Sequence, residues 1–497
     1  MNKEKEITWD FLKNLADALD SYRVRALIDA QEEIIETGLY DEQQYHHILL
    51  MMCKEEHLKY SLFNFLKSQG NCSYDTLKKF SQESSMGIKK ALSLLNLLNY
   101  ENLIELEEIH ESLNGDPETA EQSIFKDLKI TVLNKDPFKI KPIYEPVKVI
   151  FDAKICSGCG MCAGICPVNC LEIYNGFGKI DEEKCIKCGL CYFVCPRSYL
   201  PEGLINLSQD SESKIKEYSK IGYYKSIYSA RTKIKEISET CQDGGVSSTC
   251  LYYLLDKNEI DLAIGAKMSR TYWRPEPMLI TNKDELLETT GTKYVNNPTL
   301  RKLNEINNKV NKIAIVGVPC MMQALLKSEI YNIGIPSLDK VIYRIGIFCM
   351  ESFSYESLLK ICEIMNVNIN DAIKMDINKG KFFVYTKSGE EHAVPIKEVT
   401  HLAREDCEVC YDLTSESADI SIGSIGSPSG WNTVIIRTDK GEKLYKELLD
   451  NDLIESKAIE DVKPGLPLLL KIAGSKKNKC HKHVEMKLKQ YERVPNY

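Results

Sequence analysis

The sequence predicts a multidomain α/β (α+β) protein whose parts differ in composition. Helical periodicity dominates residues 1–125, and cysteines crowd residues 151–205. Over residues 206–497, β-like apolar runs alternate with helical patterns, as in a mixed α/β domain. A proline-rich, extended stretch over residues 126–150 is the expected linker. A chain of 497 residues is long enough for about three domains.

Composition and charge exclude several classes of protein. The net charge of −8 argues against a general nucleic-acid binder, which carries a basic surface. No apolar run reaches the about 18 residues of a membrane-spanning helix, and the charged N-terminus has no signal-peptide core. We therefore expect a cytoplasmic protein, and leave open a peripheral place on a membrane complex. Nineteen cysteines indicate metal ligands in a reducing compartment, which favours an anaerobic host.

The N-terminal part, residues 1–125, resembles a winged helix-turn-helix. Helical segments up to residue 98 precede an extended stretch over residues 103–109, which is the order of helices and wing in that fold. The third helix, near residues 87–98, offers only Lys89 and Lys90 as phosphate contacts, and the wing is acidic. A docking domain is therefore favoured over a DNA-binding domain.

Two cysteine runs in the central part share the spacing C-x2-C-x2-C-x3-C-P. Three cysteines on one tight loop cap three corners of a [4Fe–4S] cube, and in duplicated runs the fourth cysteine ligates the other cluster. Zinc sites usually place two cysteine pairs further apart, without paired triplets. The spacing therefore predicts two clusters. One is held by Cys156, Cys159, Cys162 and Cys195, and the other by Cys185, Cys188, Cys191 and Cys166.

This central part looks like a bacterial-type, ferredoxin-like 2x[4Fe–4S] domain. The residues between the two runs, 171–180, fit a hairpin that turns at Asn175 and Gly176. Cys170 follows Cys166 by four residues and is not expected to be a ligand.

Four later cysteines form a second constellation. Cys320 and Cys349 each follow a β-like run, and a strand that ends in a cysteine loop can point a thiolate into a cleft. Cys407 and Cys410 form a C-x-x-C pair, which alone fits zinc, redox chemistry or half of a cluster site. The β-like runs of this part cover residues 226–229, 262–267, 313–318, 341–348, 382–386, 420–423 and 433–438.

Residues from about 225 to 440 resemble the β subunit of coenzyme F420-reducing hydrogenase and its relatives in formate dehydrogenase and F420H2 dehydrogenase. Motifs at residues 242–246, 290–295, 316–320, 407–412, 418–423 and 430–438 carry the resemblance in matching order. Thr292 and Val318 depart mildly from the family pattern, which more often has Ser and Thr there. The resemblance implies FAD and a third [4Fe–4S] cluster on Cys320, Cys349, Cys407 and Cys410. It points to archaea and methanogenesis, and with the ferredoxin repeats it looks most like the F420H2 dehydrogenase input subunit.

The residues themselves give a physical reading of the flavin site. Gly244 and Gly245 precede an apolar helix, so backbone N–H groups can approach an anion such as the flavin pyrophosphate; a plain tight turn is the alternative. Lys293 either neutralises a phosphate or is a solvated lysine. The candidate flavin contacts are Asp243, Gly244, Gly245, Val246, Gly291, Lys293 and Pro319.

The predicted function is that of an oxidoreductase electron-transfer subunit. It oxidises F420H2, or reduces F420, by hydride transfer to FAD and relays single electrons through three [4Fe–4S] clusters. The expected partner is a complex of the heterodisulfide reductase, hydrogenase, formate dehydrogenase or membrane dehydrogenase type. Hydride transfer needs no general acid or base, so no catalytic residue is nominated. Cations that suit the phosphate and glutamate tail of F420 are Lys225, Arg231, Arg270 and Arg274.

Two other functions remain open. One is a ferredoxin-linked flavin and iron–sulfur reductase that acts on a substrate other than F420. The other is a redox-sensing DNA-binding regulator, against which the acidic wing and the full set of flavin-domain motifs count.

Overall fold

The computed structural model confirms a mixed α/β, multidomain chain. It describes residues 57–69, 72–84, 91, 94–95, 98, 103–108, 128–133, 147–186, 190–198, 200, 220–269, 273–330, 335–489 and 494–495. None of the helices in these ranges is both long and apolar enough to cross a membrane.

The N-terminal part contains a small antiparallel sheet packed on helices. A helix covers residues 57–69, and Ser73 opens the next helix through a capping box with Thr76. The sheet has the order β1-β3-β2, and the buried side chains of Phe63, Leu77 and Ile130 lie in one core. The elements are β1 (Cys72–Ser73), α1 (Tyr74–Glu83), β2 (Ile104–Glu108) and β3 (Leu128–Val132).

Strand β3 corrects the predicted boundary at residue 125. It lies within the span predicted as a linker, yet it pairs with both β1 and β2. The alternation in Leu-Lys-Ile-Thr-Val is strand-like, and Ile130 is buried because it faces the helices. The extended stretch predicted over residues 103–109 is confirmed as β2. The helices predicted before residue 57 and most of that at 87–98 lie outside the described residues, and the winged-helix assignment stays a prediction.

The ferredoxin-like part, residues 147–200 where described, contains short helices and the expected hairpin. Asn175 and Gly176 have φ angles of 51° and 80°, and two positive φ angles are what a tight two-residue hairpin turn requires. The predicted hairpin at residues 171–180 is thereby confirmed. The elements are α2 (Lys148–Asp152), α3 (Met161–Gly164), β4 (Leu171–Tyr174), β5 (Phe177–Ile180) and α4 (Leu190–Val194).

An eight-stranded mixed sheet organises the C-terminal part. Its order is β16-β6-β15-β14-β10-β9-β7-β8, and the pairs β7/β9, β9/β10 and β10/β14 are parallel. The strands are β6 (Ser226–Thr232), β7 (Leu262–Met268), β8 (Pro275–Ile280), β9 (Ile313–Gly317), β10 (Val341–Ile347), β14 (Ile420–Gly423), β15 (Asn432–Ile436) and β16 (Ile454–Ala458). Apolar runs such as Ile-Ala-Ile-Val in β9 form central strands because both faces of the sheet are covered.

A second, three-stranded antiparallel sheet and the helices complete this part. Its strands are β11 (Ala372–Asn378), β12 (Lys381–Thr386) and β13 (Glu391–Pro395). The helices are α5 (Lys235–Thr240), α6 (Val246–Asp256), α7 (Lys283–Glu288), α8 (Pro319–Ile330), α9 (Pro336–Asp339), α10 (Tyr355–Ile364), α11 (Asp439–Asp450) and α12 (Gly465–Lys489). All seven β-like runs predicted from the sequence are strands here, whereas β8, β11, β13 and β16 were not predicted.

The two faces of the large sheet bury different neighbours. Ala263 and Ala314 face a core that includes residues of α6 and α11. The alternate residues Ile264 and Ile315 face a core shared with α8 and with the ferredoxin-like part. The ferredoxin-like part is therefore packed on the sheet rather than attached by a tether.

Candidate functional site

The first cysteine set gathers residues from both runs. Cys156, Cys159 and Cys162 lie on one loop and the start of α3, and Cys195 follows α4. Burial and then the neighbouring Cys195 raise the pKa of Cys156 to about 12. Burial also raises the pKa of Cys162, with Cys156 and Cys159 as the next causes. These four thiols, called the inner set, are therefore within electrostatic reach of one another, and the crossed pairing stays a prediction.

The second set is less completely described. Sγ of Cys166 lies 3.5 Å from Sγ of Cys170, a residue that is not predicted to be a ligand. Burial and then Cys166 raise the pKa of Cys170, and Cys185 contributes as well. Cys191 is buried and interacts with Cys162, whereas Cys188 lies outside the described residues. Cys166, Cys185, Cys188 and Cys191 are called the outer set.

The third set forms at one edge of the large sheet. Cys320 stands in the first turn of α8, directly after β9, and Cys349 follows β10. Because β9 and β10 are parallel neighbours, their carboxyl ends bring these two cysteines to the same edge. Cys407 and Cys410 complete this C-terminal set. Burial raises the pKa of Cys349 to about 12. Lys476 opposes this shift, and Cys320 and Cys410 add to it.

The donors around these sulfurs fit [4Fe–4S] clusters. A ligating thiolate is stabilised by N–H groups that donate to sulfur. The backbone N–H groups of Gly158, Cys170 and Ser352 lie 3.4 Å from the sulfurs of Cys156, Cys166 and Cys407, one in each set. In the inner and C-terminal sets, four half-buried or buried cysteines interact electrostatically with one another and would supply the four thiolates that such a cluster takes.

The inner and C-terminal sets are neighbours across the domain contact. Cys320 contributes to the raised pKa of Cys159, so the two thiols interact electrostatically. The contact is close because α3 packs on residues 299–305; a Cβ at Gly164 would lie 2.1 Å from the Leu300 carbonyl oxygen. The backbone N–H of Leu300 also donates to the Cys159 carbonyl oxygen at 3.2 Å.

Arg404 stabilises the contact between the inner and C-terminal sets through buried polar groups. Its Nη2 atom lies 2.8 Å from the carbonyl oxygens of Cys156 and Gly176 and 2.7 Å from Oδ1 of Asp406. Burial raises the pKa of Asp406, and Arg404 and Arg197 oppose that shift. Arg197 is also buried, and it lowers the pKa of Cys320 although burial outweighs that effect.

The predicted glycine turn is confirmed at the start of α6. Gly245 has a φ angle of 69° and caps the helix, and a Cβ at Gly244 would lie 2.5 Å from the backbone nitrogen of Asn432. The N–H of Val246 already donates to Oδ1 of Asn432 at 3.1 Å. The preceding Gln242 donates to the Met375 carbonyl oxygen, so this turn lies where the large sheet meets the small one.

Two of the predicted flavin contacts near this turn, Asp243 and Lys293, are charged residues. Burial raises the pKa of Asp243, and Asp376 adds to the shift. Lys293 folds back on its own loop: Nζ donates to the carbonyl oxygens of Thr289, Thr290 and Gly291 at 2.5, 2.8 and 2.9 Å. Burial lowers the pKa of Lys293 to about 7. Pro319 begins α8 and directly precedes Cys320.

Of the four cations predicted for the F420 tail, the three that the structure describes have separate partners. Lys225 pairs with Asp439 and Glu442, and Arg231 pairs with Glu455 at 2.7 Å. Arg274 lies over the rings of Tyr355 and Tyr174, at 4.3 and 5.8 Å from their centroids. Arg270 lies outside the described residues.

Sequence reasoning missed the buried charges of the site. Arg197, Lys327, Arg404, Asp406 and Lys476 are all buried within the described part of the chain. In the sequence each stands next to at least one other charged or polar residue, as an exposed residue would. No pattern in the sequence separates them from the surface charges, because their burial depends on contacts between distant segments.

Comparison with known protein families gives matches to three parts of the chain. Residues 227–304 match the N-terminal part and residues 310–462 the C-terminal part of the coenzyme F420 hydrogenase/dehydrogenase beta subunit. Residues 148–196 match a 4Fe-4S dicluster domain.

Similar proteins are found in methanogens. The beta subunit of coenzyme F420 hydrogenase of Methanothermobacter thermautotrophicus is 40% identical over 268 residues, which cover 53% of this chain and 95% of that protein. One of the subunits of the F(420)H(2) dehydrogenase of Methanosarcina mazei is 36% identical over 347 residues, which cover 68% of this chain and 93% of that protein. Coenzyme F420-dependent sulfite reductase of Methanocaldococcus jannaschii is 32% identical over 362 residues, 70% of this chain and 53% of that protein.

A solved structure has the same fold over about half of the chain. A chain of the F420-reducing [NiFe] hydrogenase complex from Methanosarcina barkeri superposes with a TM-score of 0.53 at 39% identity. The match covers 55% of this chain and 95% of that one.

The cysteine sets on a mixed α/β fold define an iron–sulfur oxidoreductase subunit. The chain belongs to the coenzyme F420 hydrogenase/dehydrogenase beta-subunit family. It is accordingly an F420-linked redox subunit that also carries a ferredoxin-like 4Fe-4S domain.

Replacing Arg404 tests the contact between the inner and C-terminal sets. In Arg404→Met, Asp406 remains as a buried charge without this partner, so the free energy of unfolding should fall by about 3 kcal/mol. The half-exposed pair of Arg231 and Glu455 supplies the control, and Arg231→Met should cost less than about 1 kcal/mol. Urea titration followed by tryptophan fluorescence measures both. Equal losses in the two variants would contradict the role given to Arg404.

Proposed function

We propose that this chain oxidises F420H2, or reduces F420, by hydride transfer to a bound FAD and passes single electrons along three [4Fe–4S] clusters. The order is the C-terminal set, the inner set and then the outer set. A flavin accepts a hydride and releases single electrons, which is the chemistry that joins F420 to iron–sulfur clusters. The last electron acceptor is a partner subunit of the heterodisulfide reductase, hydrogenase, formate dehydrogenase or membrane dehydrogenase type.

The packing of Cys159 and Cys320 in one core is the observation that carries this proposal. It joins the ferredoxin-like pair of sets to the cysteines at the sheet edge, in one shared core. Cys162 and Cys191 in turn link the inner and outer sets. A ferredoxin-like domain that did not exchange electrons with the flavin domain would have no need of a continuous series of cysteine sets.

The residues around Gly244 support a flavin site. The absence of a side chain at Gly244 lets this turn approach Asn432, and α6 presents its N-terminus, which favours an anion. Lys293 lies in the loop after α7 and supplies a cation whose acceptors are backbone carbonyl oxygens rather than a carboxylate. Relatives named as F420 hydrogenase and F420H2 dehydrogenase subunits support F420 as the substrate.

The direct test is flavin reduction by F420H2. The anaerobically purified protein should show bleaching of its flavin absorbance, followed by cluster reduction, when F420H2 is added. NADH is the control donor and should leave both unchanged. Reduction by NADH or by reduced ferredoxin but not by F420H2 would favour the alternative reductase. Band shifts with DNA that disappear on cluster oxidation would favour the alternative regulator.

Iron content tests the three clusters. The wild-type chain should bind about twelve iron atoms, and Cys410→Ala about eight, because only the C-terminal set loses a ligand. Cys362→Ala is the matched control, since Cys362 is a buried cysteine of α10 outside the three sets, and should retain about twelve. Chemical iron analysis and electron paramagnetic resonance measure the result. A wild-type content of about eight would remove the third cluster from the proposal.

The pKa of Lys293 gives flavin binding a pH dependence. Burial lowers this pKa to about 7, so the ammonium is charged below that pH and neutral above it. An ion pair with a flavin phosphate needs the charged form, so the affinity for FAD should fall by up to about tenfold per unit as the pH rises above about 7. Titration of flavin-free protein, followed by quenching of FAD fluorescence, measures this slope.

Two variants make the pH test specific. Lys293→Met should bind FAD more weakly at low pH and should lose the slope. Lys257→Met is the control, because Lys257 lies at the opposite end of α6 from Gly245. A slope that persists in Lys293→Met would show that another group titrates.

A further inference from the structure

Two buried lysines stand against the cysteine sets. The relative exposures of Lys476 and Lys327 are 4% and 0%. Burying an ammonium group costs several kcal/mol unless hydrogen bonds and opposite charge compensate it. Neither lysine takes part in the flavin and F420 chemistry. The hydrogen bonds and opposite charge that compensate the cost of burying them therefore have to come from the surrounding residues.

Lys476 is joined to two segments that carry the C-terminal set. Its Nζ atom donates to the carbonyl oxygen of Cys349 at 2.6 Å and to that of Asp412, two residues after Cys410, at 2.8 Å. Burial lowers the pKa of Lys476, but Cys410, Cys349 and Cys407 outweigh this effect and raise it. Lys476 lies on α12, beyond residue 462 where the family match ends.

A small cavity opens beside the same sulfurs. Its volume is about 80 Å³, and Lys476 lines it together with Cys407, Cys410 and Cys480. Cys480 lies one helical turn after Lys476 on α12. The helix α12 therefore covers one side of the C-terminal set and places the ammonium group of Lys476 beside it.

Lys327 has the same relation to the inner set. Its Nζ atom donates to the carbonyl oxygen of Cys195 at 2.8 Å and to Oγ of Ser198 at 3.0 Å. Burial raises the pKa of Cys195, and Lys327 is the first influence that opposes this shift. Lys327 follows Cys320 by seven residues on α8, so one helix contributes a ligand to the C-terminal set and a cation to the inner set.

The part of the outer set that the structure describes has a different electrostatic environment. A lysine there that interacts with Cys170, whose Sγ lies 3.5 Å from that of Cys166, is Lys184, and its side chain is 66% exposed. It already pairs with Asp181 at 2.6 Å. Water screens an exposed pair, so Lys184 contributes far less to the potential at the outer set than a buried ammonium does.

We propose that Lys476 and Lys327 are fixed counter-cations that raise the reduction potentials of the C-terminal and inner clusters above that of the outer cluster. Reduction adds one electron and no proton to a cluster, and a buried cation nearby stabilises the added negative charge. Electrons would then collect on the C-terminal and inner clusters and leave through the outer cluster when a partner binds. The inference rests on the proposed function for the presence of the clusters.

Redox titration of the full-length chain tests these positioning residues. Samples poised at a series of potentials are examined by electron paramagnetic resonance, and Cys410→Ala identifies the signal of the C-terminal cluster by its loss. In Lys476→Gln, the ratio of reduced to oxidised C-terminal cluster at a fixed potential should fall about tenfold. Lys476→Arg keeps the charge and should restore the wild-type ratio. Lys327→Gln should instead lower the ratio for the inner cluster.

Each outcome of the redox titration either supports or overturns the role of the two lysines. The control is Lys471→Gln, an exposed lysine on the same helix, which should change neither ratio. Unchanged ratios in both Gln variants overturn the inference, as does loss of the C-terminal cluster from Lys476→Gln, because Lys476 would then only hold the two loops together. A wild-type chain without a third cluster contradicts the proposed function instead, and Lys327→Gln alone then decides the inference for the inner cluster.

Discussion

The packing of the ferredoxin-like part on one face of the large sheet is the contact on which the site depends. Ile264 and Ile315 of the sheet share a core with Leu190 and Val194 of that part. Electron transfer needs fixed and short separations between cofactors, and a hydrophobic core fixes them more firmly than a linker. The close approach at Gly164 and Leu300 follows from the same contact.

This contact places many charges in a region that water does not reach. Asp406 and the cations Arg197, Lys327, Arg404 and Lys476 are buried in or around it, beside the half-buried and buried thiols of the inner and C-terminal sets. Each charge is tolerable only because a partner or several hydrogen bonds compensate it. Under the proposed function, stability and redox tuning are therefore coupled here: a change in one buried charge alters both the folding free energy and the electrostatic potential at the nearest sulfurs.

The topology of the sheet explains why the chemistry gathers at one edge. The parallel strands β9 and β10 both end at that edge, and Cys320 and Cys349 follow them directly. The glycine turn before α6 and the small sheet meet nearby through Gln242. Helix α12, which begins after residue 462, then covers the C-terminal set. The segments before residue 462 thus carry the cysteines of this set, and α12 adds Lys476.

The sequence by itself determined the features that depend on local spacing: the cysteine runs, the hairpin turn at Asn175 and Gly176, the glycine turn at Gly244, and seven strands. These follow from short-range geometry, so a pattern within a few residues suffices. Only the tertiary structure decided the extension of the N-terminal sheet to Val132, the approach of Cys170 to Cys166, and the burial of Lys476 and Arg404. Those depend on contacts between residues far apart in the chain, and a lysine looks the same in sequence whether water or a cluster surrounds it.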